Sequence, residues 1–178
     1  VSNWVSGTST AHAGAVKYGT SVSLDTFNGK TTLAIGSPAS LTSGGIAGGI
    51  VSTYVFDNTN YVWTDEAVIE NPFHMVSNFG CSIDISEDIM VVGANTSTYN
   101  KVDSNVMTNI IGSAIVYGRT NGSWNEIANL FDPNVENIST DKVGFSVAID
   151  ESNLVIGAPG QSFLSSGEYF PTSGAAYI

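Results

Sequence analysis

Short apolar runs closed by glycine or a polar turn residue dominate the chain. Leu33-Ala34-Ile35, Met90-Val91-Val92, Val147-Ala148-Ile149 and Leu154-Val155-Ile156 lie in apolar runs of three or four residues, and each is followed at once by Gly or Asp. Runs of that length are too short for a buried helix and suit strands covered on both faces. Two dipeptides, Asn28-Gly29 and Asn121-Gly122, lie between such segments and predict tight hairpins, because the central residues of a type I′ turn both need positive φ. The expectation is an all-β chain with almost no helix.

The runs belong to a repeat. A first block, apolar-Gly-x-Ser-β-branched, reads Tyr18-Gly19-Thr20-Ser21-Val22, Phe79-Gly80-Cys81-Ser82-Ile83 and Val143-Gly144-Phe145-Ser146-Val147. A second block follows each copy: Leu33-Ala34-Ile35-Gly36-Ser37-Pro38, Met90-Val91-Val92-Gly93-Ala94-Asn95 and Leu154-Val155-Ile156-Gly157-Ala158-Pro159. A third is read as Ser52-Thr53-Tyr54-Val55-Phe56, Ser113-Ala114-Ile115-Val116-Tyr117 and, less cleanly, Ala175-Ala176-Tyr177-Ile178. Trp63 and Trp124 follow as the mark of a fourth strand. The period, 61 residues from Gly19 to Gly80 and 64 from Gly80 to Gly144, fits one four-stranded propeller blade per repeat.

The expected organisation is a β-propeller-type array of about three four-stranded antiparallel blades, a partial propeller or a fragment of one. Residues 1–15, with Val1-Ser2-Asn3-Trp4-Val5, read as the outer strand of a preceding or neighbouring blade. Residues 16–77, 78–141 and 142–178 read as three blades, the third lacking its outer strand. A sheet edge left in that state invites another strand, so strand exchange between identical subunits, even into a filament, is an expected mode of assembly.

The blocks Phe79-Gly80-Cys81-Ser82-Ile83, Val91-Val92-Gly93-Ala94 and Gly112-Ser113-Ala114-Ile115-Val116-Tyr117, and above all Gly144-Phe145-Ser146-Val147-Ala148-Ile149 with Gly157-Ala158-Pro159, resemble the FG-GAP repeat of integrin-α-type propellers. The resemblance covers nearly all of residues 16–178. It implies a non-catalytic adhesion or interaction module outside the cell, in propellers that usually have seven blades. It also implies a calcium loop in the first hairpin of those members that carry alternating carboxylates there.

Composition narrows the partners. Sixteen acidic and five basic residues give a net charge of −11, which repels phosphate backbones and anionic lipid, so neither nucleic acid nor membrane surface is expected to bind. The acidic residues are scattered and read as a solvated surface. The single Cys81 lies within an apolar strand and reads as a small buried hydrophobe, with no partner for a disulfide or a zinc site. No basic stretch leads into an apolar one, so no signal peptide is read in the sequence, and the apolar runs fall far short of the roughly 20 residues of a membrane helix.

Candidate chemistry is sparse. The first-hairpin loops are Asp25-Thr26-Phe27-Asn28-Gly29, Ser86-Glu87-Asp88 and Asp150-Glu151-Ser152-Asn153, and none has three alternating carboxylates. Asp25 and Asn28 are the metal-ligand candidates; two oxygens are few for a cation that takes six to eight, so the expectation is no cofactor, with calcium the one alternative. His12 and His74 stand at no metal-ligand spacing and next to no nucleophile signature, and Asp65-Glu66 would alternate across a strand, so no catalytic residue is assigned. Gly19, Gly36, Gly80, Gly93, Gly144 and Gly157 lie between strands without a following helix, and read as backbone punctuation rather than a phosphate loop.

Trp4, Trp63 and Trp124 could stack sugars in a lectin-like protein, but their shared repeat position favours a structural role at the outer edge of each blade. Three glycosylation sequons begin at Asn95, Asn121 and Asn137, all read as loop sites and compatible with a secreted or cell-surface glycoprotein. The reading is therefore a non-catalytic extracellular structural or interaction module, acting in surface assembly or adhesion through protein partners, its own copies included. The alternative is a propeller that binds glycan or protein ligands through the loops 39–50, 95–111 and 160–173.

Overall fold

The computed structural model describes residues 16–73, 75–103, 106–132, 141–165 and 168–178. It is all-β. The first sheet runs β1 (Ser21–Phe27), β2 (Lys30–Ser37), β3 (Ile50–Asp57) and β4 (Val62–Glu70), in spatial order 1-2-3-4 and antiparallel throughout. The second repeats it with β5 (Phe79–Ser86), β6 (Ile89–Asp103), β7 (Val106–Thr120) and β8 (Ser123–Leu130). The third holds β9 (Ser146–Asp150), β10 (Asn153–Ala158) and, beyond a small hairpin of β11 (Phe163–Ser165) and β12 (Glu168–Phe170), β13 (Ala175–Tyr177). Each sheet is a propeller-type blade. The turns carry the expected chemistry: Asn28-Gly29 and Asn121-Gly122 have φ of 49°, 76°, 52° and 80°.

Blades stack face to face along their innermost strands, β1 on β5 and β5 on β9. Period-2 alternation then gives each blade a backward and a forward face. Ile83, Ile85, Met90, Val92, Ile115 and Tyr117 turn back and join Ala34 and Val51 of the first blade in one core. Val91, Ala114 and Val116 turn forward and meet Val143 and Ile156 of the third in a second core. Both faces of the middle blade are buried, which explains why its runs are continuously apolar.

The ladders correct the third block by two residues. Gly36 pairs with Val51, Gly93 with Ala114 and Gly157 with Ala176, so Val51, Ala114 and Ala176 are equivalent, and Tyr54 rather than Phe56 corresponds to Tyr117. Gly49, Gly112 and Gly174, at φ of 97°, 99° and 79°, precede the equivalent part of each third strand, Gly112 lying within the longer β7. A shift of two preserves which face each side chain takes, so alternation alone could not detect it.

Two of the three segments read as loops are built differently. Residues 95–111 largely prolong β6 and β7 into a long hairpin, paired from Thr98↔Ile111 to Asp103↔Val106. Residues 160–173 contain the β11–β12 hairpin. Asn95 accordingly lies within β6 rather than in a loop.

Candidate functional site: the blade junctions and the open outer edge

The first block builds the inner part of each junction. Its glycine takes a φ of 87° at Gly80 and 80° at Gly144, which turns the carbonyl onto the preceding blade. The Ser of the preceding blade donates to it: Ser21 Oγ to Gly80 O at 2.7 Å, Ser82 Oγ to Gly144 O at 2.8 Å. The second-block glycine leaves room for that carbonyl, since a Cβ on Gly36 would lie 2.1 Å from Gly80 O and one on Gly93 2.0 Å from Gly144 O. The two glycines and the serine are thus one device for docking a blade on its neighbour, which is why they recur together.

Farther along the innermost strands the bonds continue with changed residues. Ser23 Oγ donates to Asp84 Oδ1 at 2.8 Å and accepts from Ile85 N at 3.1 Å. In the next junction Asp84 Oδ2 accepts from Ile149 N at 2.8 Å. Asp25 Oδ2 accepts from Glu87 N at 2.7 Å, and Ser86 Oγ from Glu151 N at 2.9 Å. Asp25, read as a metal-ligand candidate, is therefore committed to the neighbouring blade's turn, while Asn28 forms the tip of its own hairpin. Among the described residues no group of three or more His, Cys, Asp or Glu is placed to hold a metal ion.

A buried charged cluster closes the outer part of the first junction. A β-bulge opposite Thr53 and Tyr54 leaves Glu66 without a ladder partner and aims its side chain at the second blade. Glu66 there receives Lys30 Nζ at 2.7 Å, Arg119 Nη1 at 3.4 Å and Trp124 Nε1 at 3.1 Å. Arg119 also donates to Asp88 Oδ1 at 2.7 Å and Thr32 Oγ1 at 2.6 Å, and lies 4.9 Å from the Trp124 ring centroid. Sequence reading missed Glu66 and Arg119, because a bulge breaks the alternation that would have placed them. Trp63 instead packs on Phe56 at 5.2 Å, and the two tryptophans hold the same place, opposite the equivalent residues Phe56 and Arg119.

The outer part of the second junction is open. A cleft of about 310 Å³ is lined by Leu130, Phe131, Val143, Leu154, Ile156 and Tyr177, among others. Leu154, Ile156, Tyr177 and Leu130 are the ladder counterparts of Met90, Val92 and Ile115 in the first junction's core and of Ile69, which like Trp124 packs against that core. The bulge recurs opposite Val116 and Tyr117, placing Ile127 where Glu66 stands, and Ile127 is 60 % exposed. Beside the cleft, β13 has no ladder partner on its outer side among the described residues.

Residues 124–178 match the FG-GAP repeat family. The matched FG-GAP repeat begins at the outer strand of the second blade and ends with the third strand of the next, so it spans the second junction. No curated protein matches the chain.

The remaining site residues are dispersed. Cys81 is half-buried with its thiol directed at Gly144 O, at 3.4 Å, and burial pushes its pKa up. Asn121 stands exposed at the β7–β8 hairpin tip. Asn95 is engaged by Asn78 Nδ2 at 3.2 Å, and the Ser97 hydroxyl of its sequon is buried against Ser113. Trp4, His12, His74 and Asn137 lie outside the described residues. Among the described residues no helix is long and apolar enough to cross a membrane.

Proposed function

We propose that the protein is a non-catalytic extracellular module for surface assembly or adhesion, and that it assembles by strand exchange: the third blade accepts the outer strand of a neighbouring subunit. The FG-GAP repeat supports the interaction role and the extracellular setting. The cleft supports the exchange, because its lining corresponds to core residues of the first junction, the core against which Trp124 packs. Residues 1–9 supply a donor with Trp4 at the repeat position of Trp63 and Trp124. An added strand gains main-chain bonds along β13, and its tryptophan fills an apolar pocket, the usual division between affinity and specificity in strand addition.

The experiment is the native mass of the protein with and without residues 1–9. The reading expects large assemblies from the 178-residue chain and their loss, with the blades still folded, from the shortened one. Assemblies of undiminished size after the deletion would contradict strand exchange.

A second reading is favoured by one observation. Phe163, Tyr169 and Phe170 of the β11–β12 hairpin are 45 %, 67 % and 44 % exposed, an aromatic surface suited to stacking glycan rings or contacting a protein ligand. Loss of ligand binding in Tyr169→Ala, with assembly unchanged, would favour it.

A further inference from the structure

The two end faces of the blade stack are complementary by the rules of its own internal junctions. Val22 and Leu24 on the backward face of the first blade are 62 % and 58 % exposed, whereas their counterparts Ile83 and Ile85 in the second blade are 7 % and 5 % exposed. Gly19 repeats the φ of Gly80 and Gly144, at 83°, yet a Cβ on it would meet nothing within 4 Å. The first blade thus presents a docking carbonyl and two apolar side chains with nothing on them among the described residues.

The forward face of the third blade presents the other half. Ser146 Oγ is held over Gly157 as Ser21 is over Gly36 and Ser82 over Gly93: a Cβ on each glycine would lie 2.3, 2.4 and 2.2 Å from the respective oxygen. Ser21 and Ser82 spend that placement on a carbonyl of the next blade; Ser146 finds no acceptor among the described residues. Val155 and Ala176 occupy the positions of Ala34 and Val51 in the first blade and of Val91 and Ala114 in the second, all four of which are buried. Val155 is 38 % exposed and Phe145, at the rim, 53 %.

We propose that a second copy of the chain docks head to tail on this face, with its Gly19 carbonyl accepting from Ser146 Oγ and its Val22 and Leu24 covering Val155 and Ala176. The partner is a second copy because the chain itself carries both halves of a junction that it already forms twice internally. Such an interface is heterologous, so it closes into a ring or runs on as a filament according to the rotation it imposes. Two departures from the internal pattern set its strength. Ala148 stands where Ser23 and Asp84 reach across, so the bond to the next strand's backbone is missing. Asp150 stands where Asp25 and Ser86 accept from a turn amide, but the first hairpin is longer and extends past that point. The end-to-end contact is therefore weaker than the internal ones, and concentration-dependent.

This inference deepens the assembly reading and rests on it, but uses different residues. The test is sedimentation velocity of the 178-residue chain over a concentration series, alongside Leu24→Asp and Val155→Asp, both at exposed positions, with circular dichroism to show that each variant keeps its strands. The expected result is self-association in the parent protein, weakened about tenfold or more by either substitution. Association lost on removing residues 1–9 but unchanged by both substitutions would leave strand exchange standing and overturn face docking. A parent protein that stays monomeric at every concentration would overturn both.

Discussion

The two blade junctions share an inner half and differ in the outer half. Near the innermost strands both use the same serine-to-carbonyl bond, the same glycine contact and the same backbone amides. Toward the outside the first is closed by Trp124, the buried Glu66 and Arg119 and the half-exposed Lys30, while the second opens into an apolar cleft. Two features make the difference: the outer strand that carries Trp124, which the third blade lacks among the described residues, and Ile127 in place of Glu66 at the recurring bulge. The inner half is therefore the part that makes these blades stack, and the outer half is where partner choice can enter.

The largest effect should come from breaking the closed outer half. Arg119→Met leaves the buried Glu66 carboxylate with only the half-exposed Lys30 as counter-charge, beside the Trp124 Nε1–H, and removal of one member of such a set costs about 3 kcal/mol. Urea unfolding would measure it; a loss below about 1 kcal/mol would mean the cluster is solvated in solution.

Next in size is the glycine contact, where the comparison can be sharpened by one methyl group. Gly93→Ala drives a Cβ against the backbone carbonyl of Gly144 and should cost about 1–3 kcal/mol. Gly157→Ala meets only the movable hydroxyl of Ser146 and should cost clearly less in the monomer. Equal losses would argue against a docking role for this position.

A smaller change is expected from the serines. Ser82→Ala removes a hydrogen bond to a buried carbonyl and should cost about 1 kcal/mol by chemical denaturation. Ser146→Ala should leave the monomer unchanged, because its hydroxyl has no partner within the chain among the described residues.

The mildest test is alkaline pH. Burial is the first cause that raises the pKa of Tyr18, Tyr117 and Tyr177, helped by the Tyr54 contact at Tyr18, by Glu126 at Tyr117 and by Asp132 at Tyr177. A tyrosine harder to ionise when folded contributes stability that is complete below its unfolded pKa, about 10, and is lost as pH rises toward the folded value. Thermal midpoints should therefore fall above about pH 10, with no change attributable to these groups between pH 7 and 9.

Much of this was legible in the sequence, and the reasons are specific. The three Gly-x-Ser blocks and the following Gly blocks were readable because a backbone carbonyl that must touch a neighbouring strand tolerates no side chain, which fixes residue type and spacing. The hairpin tips at Asn28 and Asn121 were readable because few residues accept positive φ. The start of the third strand was misplaced by two residues because Ser52 and Ser113 lie on like faces, and alternation repeats every two positions. The Glu66–Arg119 contact was illegible because a bulge brings the two together from sheets that the chain separates by 53 residues. Asn95 was misjudged because the long β6–β7 hairpin is rich in Asn, Ser and Thr, which read equally as loop.

The central claim is that the outer edge of β13 and the cleft beside it receive a strand from another subunit. Hydrogen exchange at the outward-facing amides of Ala175–Tyr177, measured at low and high protein concentration, tests it most directly. The account predicts that these amides exchange freely in dilute protein and become protected as concentration rises, while the amides between β9 and β10 stay protected throughout. Exchange along β13 that is the same at every concentration, in a sample that nonetheless assembles, would contradict it.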